Sequence, residues 1–291
     1  VQLEQIDIAK QIFTRYPDFF QETLTSAEVM PAFRNGMIAS VMGMEGGHAI
    51  ENSLGALRAF YALGARYLTL THSANTDWAD ASTDSPVHGG LTNFGREVVR
   101  EMNRLGMLVD LSHVAPATMH DALDVAEAPV VFSHSSARAL VDHPRNVPDD
   151  VLRRMPANGG VVMVTFVPGF INQAVAEWEG LPASQRTGPA PAATMQDVIA
   201  HIEHVRQVAG ADHVGIGSDF DGISRVPRGL EDVSTFPALF AELSRRGWSE
   251  SDLRKLAGEN VLRAWREAEQ VAARLQRERG PSTATIGKLD G

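Results

Sequence analysis

Residues 129–134 read PVVFSH: a proline, an apolar run suited to a buried strand, and then a histidine, His134, where that strand would leave its sheet. The arrangement repeats. GMLVDLSH at 106–113 closes on His113, and YLTLTH at 67–72 closes on His72. MIASVMGME (37–45) closes on Glu45, GVVMVTF spans 160–166, and HVGIGSDFD (213–221) closes on Asp219 and Asp221. All these runs are continuously apolar, as expected of strands covered on both faces. Segments with helical spacing lie between them. NSLGALRAFYALG (52–64) puts Leu54, Leu57 and Tyr61 on one face with Asn52 or Ser53 as a cap; NFGREVVREMNRLG (93–106) stops at Gly106, and MQDVIAHIEHVRQVAG (195–210) stops in the same way. Repeated strand–helix alternation predicts a parallel α/β fold, either an open doubly wound sheet or a closed barrel. An open sheet concentrates its chemistry at one switch point, whereas a barrel collects it from the carboxyl ends of many strands. Because five of the six runs end on a ligand-type residue, the expected class is α/β, a (β/α)8 TIM-type barrel.

The chain of 291 residues, 44% apolar, is long enough for a substantial core, and one barrel domain is expected over 1–276. RERGPSTATIGKLDG (277–291) lacks an apolar face and is expected to be a disordered tail. FINQAVAEWEGLPASQRTGPAPAAT (170–194) reads as a long strand-to-helix loop, a lid or a surface insertion. A formal charge of −10 and a pI near 5.5 argue against nucleic acid as a partner, since polyanion binding needs clustered Lys and Arg. With no cysteine, disulfides, thiolate metal sites and cysteine nucleophiles are excluded; any metal must be held by His, Asp or Glu. No stretch has the roughly 18 to 20 apolar residues of a membrane-spanning helix. VQLEQIDIAKQIF (1–13) reads as a helix already under way, and an amino-terminal truncation is expected.

Imidazole and carboxylate at strand ends suit Zn2+ or a similar divalent ion. Two such ions sharing a carboxylate can hold a hydroxide between them and polarise a carbonyl. Glu45, His113 and His134 are the candidate ligands. A single strand-end histidine is more commonly a hydrogen-bonded core or loop residue; the recurrence is what raises these above that expectation. His48 in GMEGGH reads as structural; His88, His120, His201 and His204 read as loop- or helix-surface residues, and His143 as lining the loop of Arg145. In SDFDGI, Asp219 and Asp221 alternate to the same side, so spacing alone does not choose which one handles a proton. The bland alternative is an Asx-turn before Gly222. Arg145 in DHPRNVPDD is placed to clamp a carboxylate, or simply caps the helix that NVPDD starts.

The ordered set GMEGGH, YLTLTHSANTDWAD, DLSH, FSHSS, RNVPDD and GSDFDG resembles the membrane (renal) dipeptidase family of zinc dipeptidases, the M19 peptidases of the amidohydrolase-like barrels, over residues 1 to about 270. The resemblance implies a (β/α)8 barrel, a binuclear zinc site, dipeptide substrates including some with a carboxyl-terminal D-residue, and a homodimer. It implies that Glu45 bridges both zincs and that His113 and His134 complete the second. His72 would contact substrate and stabilise the tetrahedral intermediate, Arg145 would bind the substrate carboxylate, and Asp219 would handle the proton and the substrate amine. The family's first zinc takes an HxD pair, which residues 1–291 do not contain. The six strands are therefore expected to be the family's third to eighth, with HxD and two strands upstream of Val1. The alternative function is an inactive or single-metal barrel that binds peptides without turnover. Localisation, exported or cytoplasmic, depends on that amino terminus.

Overall fold

The apolar runs form short parallel strands, joined by helices with the stops that the sequence encodes. In the computed structural model, which describes residues 1–291, they fall into two units, Val1–Val130 with Leu262–Gly291, and Val131–Val261. One domain over 1–276 was the expectation from sequence.

The first unit carries β1 (Phe20–Glu22), β2 (Ile38–Ser40), β3 (Met42–Glu45), β4 (Ala65–Thr69) and β5 (Leu108–Asp110). β1 pairs in parallel with β2, Phe20 opposite Ile38. β3 pairs in parallel with β4, Glu45 opposite Thr69, and β4 with β5, Thr69 opposite Asp110. The three carboxyl ends are thus level, and the residues that follow them emerge together. Two points differ from the sequence reading. The run 37–45 breaks at Val41 into β2 and β3, and Phe20–Glu22 forms a strand from residues with no apolar run of their own. The apolar fill of this unit includes Leu57, Leu68, Leu70, Trp78, Phe94, Met102 and Met119, each 1% exposed or less.

Helix Leu54–Leu63 starts on Ser53, whose hydroxyl accepts the Ala56 N–H at 3.2 Å, and stops at Gly64, φ 118°. Helix Asn93–Leu105 starts on Thr92, accepting the Gly95 N–H, and stops at Gly106, φ 83°. Ser53 and Gly106 are the cap and stop read from the sequence; Thr92 and Gly64 act in the same way. Residues 277–291, expected to be disordered, instead lie along this unit. They carry the helix Ile286–Leu289. The Asp290 carboxylate accepts the Asn93 and Phe94 N–H groups at 2.9 and 3.0 Å, capping a helix whose first amides have no partner of their own. Arg58 donates to the Ser282 carbonyl at 2.9 Å, and the Ser282 N–H donates to the buried Glu101. This docking is polar and uses main chain, so apolar periodicity carries no trace of it.

The second unit holds β6 (Val130–Ser135, whose first residue is the last of the first unit's long segment), β7 (Val161–Val164) and β8 (Val214–Ile216). β6 pairs in parallel with β7 and β7 with β8, Val164 opposite Ile216. Helix Met195–Ala209 opens with a capping box between Thr194 and Asp197. Val161, Val162, Phe166, Ile199, Ile202, Leu239 and Leu243 are fully buried here. The segment 170–194, read as a loop, contains the helix Gln173–Gly180, capped by Asn172 accepting from the Val175 N–H. The fold class is α/β with parallel strands, as read from the sequence. No helix is long and apolar enough to cross a membrane.

Candidate functional site

Strand ends place the candidate side chains, though not as directly as the runs suggested. β3 ends on Glu45 itself, but β4 stops at Thr69 and β5 at Asp110, so His72 and His113 sit three residues further on, in the loops. Asp110 shapes the second of these turns. Its carboxylate, fully buried, accepts the Thr69 hydroxyl at 2.6 Å and the Ser112 N–H at 3.0 Å, while its carbonyl accepts the Leu70 N–H at 3.2 Å. His113 follows with φ +70°, the left-handed region that costs a non-glycine residue about 1 kcal/mol or more. That conformation turns the imidazole back toward β3. His113 Nε2 lies 3.0 Å from Glu45 Oε1, His72 Nε2 lies 3.8 Å from Glu45 Oε2, and the two imidazole centroids are 4.5 Å apart. His113 is buried, whereas Glu45 and His72 are each 46% exposed and open to a ligand.

The loop after β4 is organised by an aspartate that sequence reading passed over. Asp80 is fully buried, and its carboxylate accepts the N–H groups of Val87 (2.9 Å), His88 (3.0 Å) and Gly90 (3.1 Å). Burial by itself would raise its pKa, but the amide donors outweigh burial and hold it below the usual carboxylate range. An acid leading a turn-rich stretch of Ser, Pro and Gly was the available signal.

In the second unit, β6 includes His134, half-buried, with Nδ1 2.7 Å from the Ser133 hydroxyl. When Nδ1 donates to that hydroxyl, Nε2 keeps the lone pair a ligand needs. Arg145 is 6% exposed; its Nη2 donates to the His134 carbonyl at 3.2 Å, and its guanidinium lies 5.1 Å from the Phe170 ring centre. Its anchoring tells against the reading as an exposed helix cap. His143 stacks on the same Phe170 and accepts the Arg145 N–H; burial, then the charges of Arg145 and Arg138, push it down to about 4. Asp219 and Asp221 follow β8, both left-handed at φ +61° and +69°, but Asp219 is half-buried and Asp221 exposed. A Cβ on Gly222 would lie 2.3 Å from Asp219 Oδ1, so the carboxylate occupies the space that this glycine leaves. The two acids are therefore not equivalent, which spacing alone could not show.

The remaining histidines divide. His48 is exposed on the turn after β3. His88 is half-buried, its Nε2 3.0 Å from the Thr76 carbonyl, and His120 is half-buried on its helix. His204 pairs with Asp149 at 2.8 Å. His201, expected on a helix surface, is 1% exposed: Nδ1 accepts the Ala137 N–H and Nε2 lies 3.3 Å from the Ile171 carbonyl. Burial pushes it down to about 4.

A carboxylate and imidazoles meeting at strand ends form the donor set of a divalent metal centre, and Glu45, His113 and His72 present such atoms to one another. The membrane dipeptidase model, peptidase family M19, matches residues 1–279. This chain belongs to that family. An uncharacterized dipeptidase of Schizosaccharomyces pombe is 49% identical over 272 residues, covering 92% of this chain. The chain spans 63% of that relative's length. Among solved structures, the probable dipeptidase PvdM of Pseudomonas aeruginosa is 28% identical with a TM-score of 0.85, over 92% of this chain and 78% of that one. A metallopeptidase of Rhodobacter sphaeroides, liganded with a phosphinate mimic of the dipeptide L-Ala-D-Ala, is 32% identical with a TM-score of 0.74, over 86% and 69%. The M19 match ends at residue 279, just inside the tail, and includes every candidate site residue.

Proposed function

We propose that this chain carries the metal-binding and substrate-binding residues of a zinc-dependent dipeptidase. The observation that carries the reading is the convergence of Glu45, His113 and His72 behind level strand ends, in a chain of the M19 family. Glu45 and His113 are the ligands of the first unit, and His134 is the ligand-type residue that the second unit carries. Imidazole with carboxylate suits Zn2+ and also admits Fe, Ni and Cu; membership of the M19 family favours zinc among them. When bound, the ion supplies Lewis-acid polarisation of a peptide carbonyl and lowers the pKa of water.

The chain's own side chains supply the rest. His72, exposed beside Glu45, donates a hydrogen bond from an imidazole nitrogen to the carbonyl oxygen as it gains charge. Arg145, held by the His134 carbonyl and Phe170, offers its guanidinium to the substrate carboxylate. A free carboxylate one residue from the scissile bond is what distinguishes a dipeptide from a longer chain. Asp219, fixed in a left-handed turn, takes the proton from the attacking water and returns it to the leaving amine. The phosphinate mimic of L-Ala-D-Ala bound by the Rhodobacter relative supports a substrate with a carboxyl-terminal D-residue.

The test is elemental analysis of purified protein after gel filtration, together with hydrolysis of L-Ala-D-Ala and L-Ala-L-Ala. Glu45→Gln is expected to weaken zinc binding by more than about a hundredfold and to abolish turnover, with the circular dichroism spectrum unchanged. Near-normal zinc content and turnover in that variant would overturn the assignment.

A further inference from the structure

The segment that follows β5 is gripped by the loop that follows β4. Asp80 to Ser82 run antiparallel to His113 to Ala115, with Ala81 bridged to Val114. The Ser82 N–H donates to the His113 carbonyl at 2.7 Å, and the Ala115 N–H donates to the Asp80 carbonyl at 2.9 Å. The same Asp80 carbonyl accepts the Thr118 hydroxyl at 2.9 Å. His113 is therefore held on its carbonyl side by Ser82, while Asp110 holds the preceding Ser112 N–H. Two flanking anchors leave a left-handed backbone as the way across, and the imidazole is aimed by that backbone.

What keeps the gripping loop closed is the Asp80 side chain. SANTDWADASTDSPVHGGLT (73–92) has few apolar residues, so its main chain needs partners. Three of its amides, those of Val87, His88 and Gly90, converge on the one carboxylate, and the Asp80 N–H returns to the Gly90 carbonyl at 3.1 Å. Gly90, with φ +132°, allows the chain to turn in close. A carboxylate suits this place because it accepts on both oxygens, whereas an amide would present donors to donors.

We propose that Asp80 is a positioning residue for the metal centre: by closing the 73–92 loop it clamps His113 in the left-handed conformation that presents Nε2 beside Glu45. The proposal rests on the metal reading above. It goes beyond the ligand set, placing part of the site's metal affinity in a side chain that touches neither metal nor substrate.

The experiment measures zinc affinity by competition with a chromogenic chelator, and amide exchange by mass spectrometry, on the purified protein and its Asp80→Asn variant. Zinc affinity is expected to fall roughly tenfold to a hundredfold, as for supporting groups at metal sites generally. Exchange at Ser82 and Ala115 is expected to quicken at least about tenfold as the clamp loosens. Leu239→Ala, a buried change in the other unit, serves as a control for general destabilisation and should keep its zinc affinity. Wild-type zinc affinity in Asp80→Asn, or an equal loss in the control, would overturn the proposal. Should Asp80→Asn fail to fold, Ser82→Pro removes the N–H that donates to the His113 carbonyl; Ala81, already in a β-bridge, tolerates a following proline. Its zinc affinity is expected to fall by a comparable factor, and an unchanged value would overturn the clamp. If the unaltered protein takes up no zinc, the metal reading fails by itself. The clamp is then judged on exchange: quickening that reaches Ser82 and Ala115 as well as Val87, His88 and Gly90 upholds it, and unchanged protection at Ser82 and Ala115 overturns it.

Discussion

His201 shows how a single side chain can carry a pH dependence that has nothing to do with chemistry. It is neutral in the folded state because burial disfavours the imidazolium, which outweighs the pull of the Ile171 carbonyl toward the charged ring, and because Nδ1 is taken up in accepting the Ala137 N–H. Its pKa falls from 6.5 to about 4 on folding, so above pH 6.5 neither state is protonated and the residue contributes no pH dependence. As pH falls from 6.5 toward 4 the unfolded chain takes the proton first, and stability drops by up to about 3 kcal/mol. Below about 4 both states are charged and the loss levels off. His143, lowered to about 4 by burial and two arginines, adds in the same direction. His201→Gln is expected to flatten the stability profile between pH 6.5 and 4 in urea titrations. A variant as acid-sensitive as the parent would mean that His201 is not the group responsible. Glu45, His72 and His113 were legible from residue type and strand position. His201 was not, because whether a helical histidine is covered depends on which segment lies over it, here those of Ala137 and Ile171.

At the scale of elements, the strands are shorter than the apolar runs that announce them, and close main-chain contact shapes the ends. β8 stops at Ile216, and Gly217 then passes so near β6 that a Cβ would lie 1.9 Å from the Ser133 carbonyl oxygen and 2.9 Å from Met163 Cβ. The Gly217 N–H meanwhile donates to the Val164 carbonyl at 3.0 Å, so the chain cannot simply retreat. Gly217→Ala is expected to cost about 3 kcal/mol, seen as a lower urea midpoint with an unchanged slope. An unaltered midpoint would mean that the turn leading to Asp219 has room to spare. The helices were the most legible elements, since Ser53 as a cap and Gly106 as a stop act through local geometry alone. β1 was not legible, because Phe20–Glu22 is a strand only through its pairing with Ile38–Ser40.

For the molecule as a whole, a bound ion should be felt as stability, because an ion that binds only the folded chain stabilises it by mass action. With free zinc at a hundred times its dissociation constant the gain is about 2.7 kcal/mol. A chelator should therefore lower the melting temperature, and zinc should restore it. Glu45→Gln should melt at the same temperature with or without chelator. A melting temperature indifferent to chelator in the unaltered protein would argue against an ion held by Glu45 and His113. The carboxyl-terminal residues belong to this scale too. Glu101, 2% exposed, joins Arg58 and Arg104 to the Ser282 main chain, and burial, which would raise its pKa, is outweighed by these partners. Their order comes from charge satisfaction across residues far apart in sequence.

What the sequence by itself determined is whatever depends on near neighbours: parallel α/β class, helix boundaries, and a set of ligand-type residues each following its own apolar run. Periodicity, capping and residue chemistry act over a few positions and need no partner from elsewhere. Only tertiary structure decided which groups those residues meet. It set Glu45 against His113, distinguished half-buried Asp219 from exposed Asp221, buried His201, and made Asp80 the closure of a loop. Burial and hydrogen-bond pairing are properties of surfaces brought together over long separations, and no local pattern encodes which surface arrives.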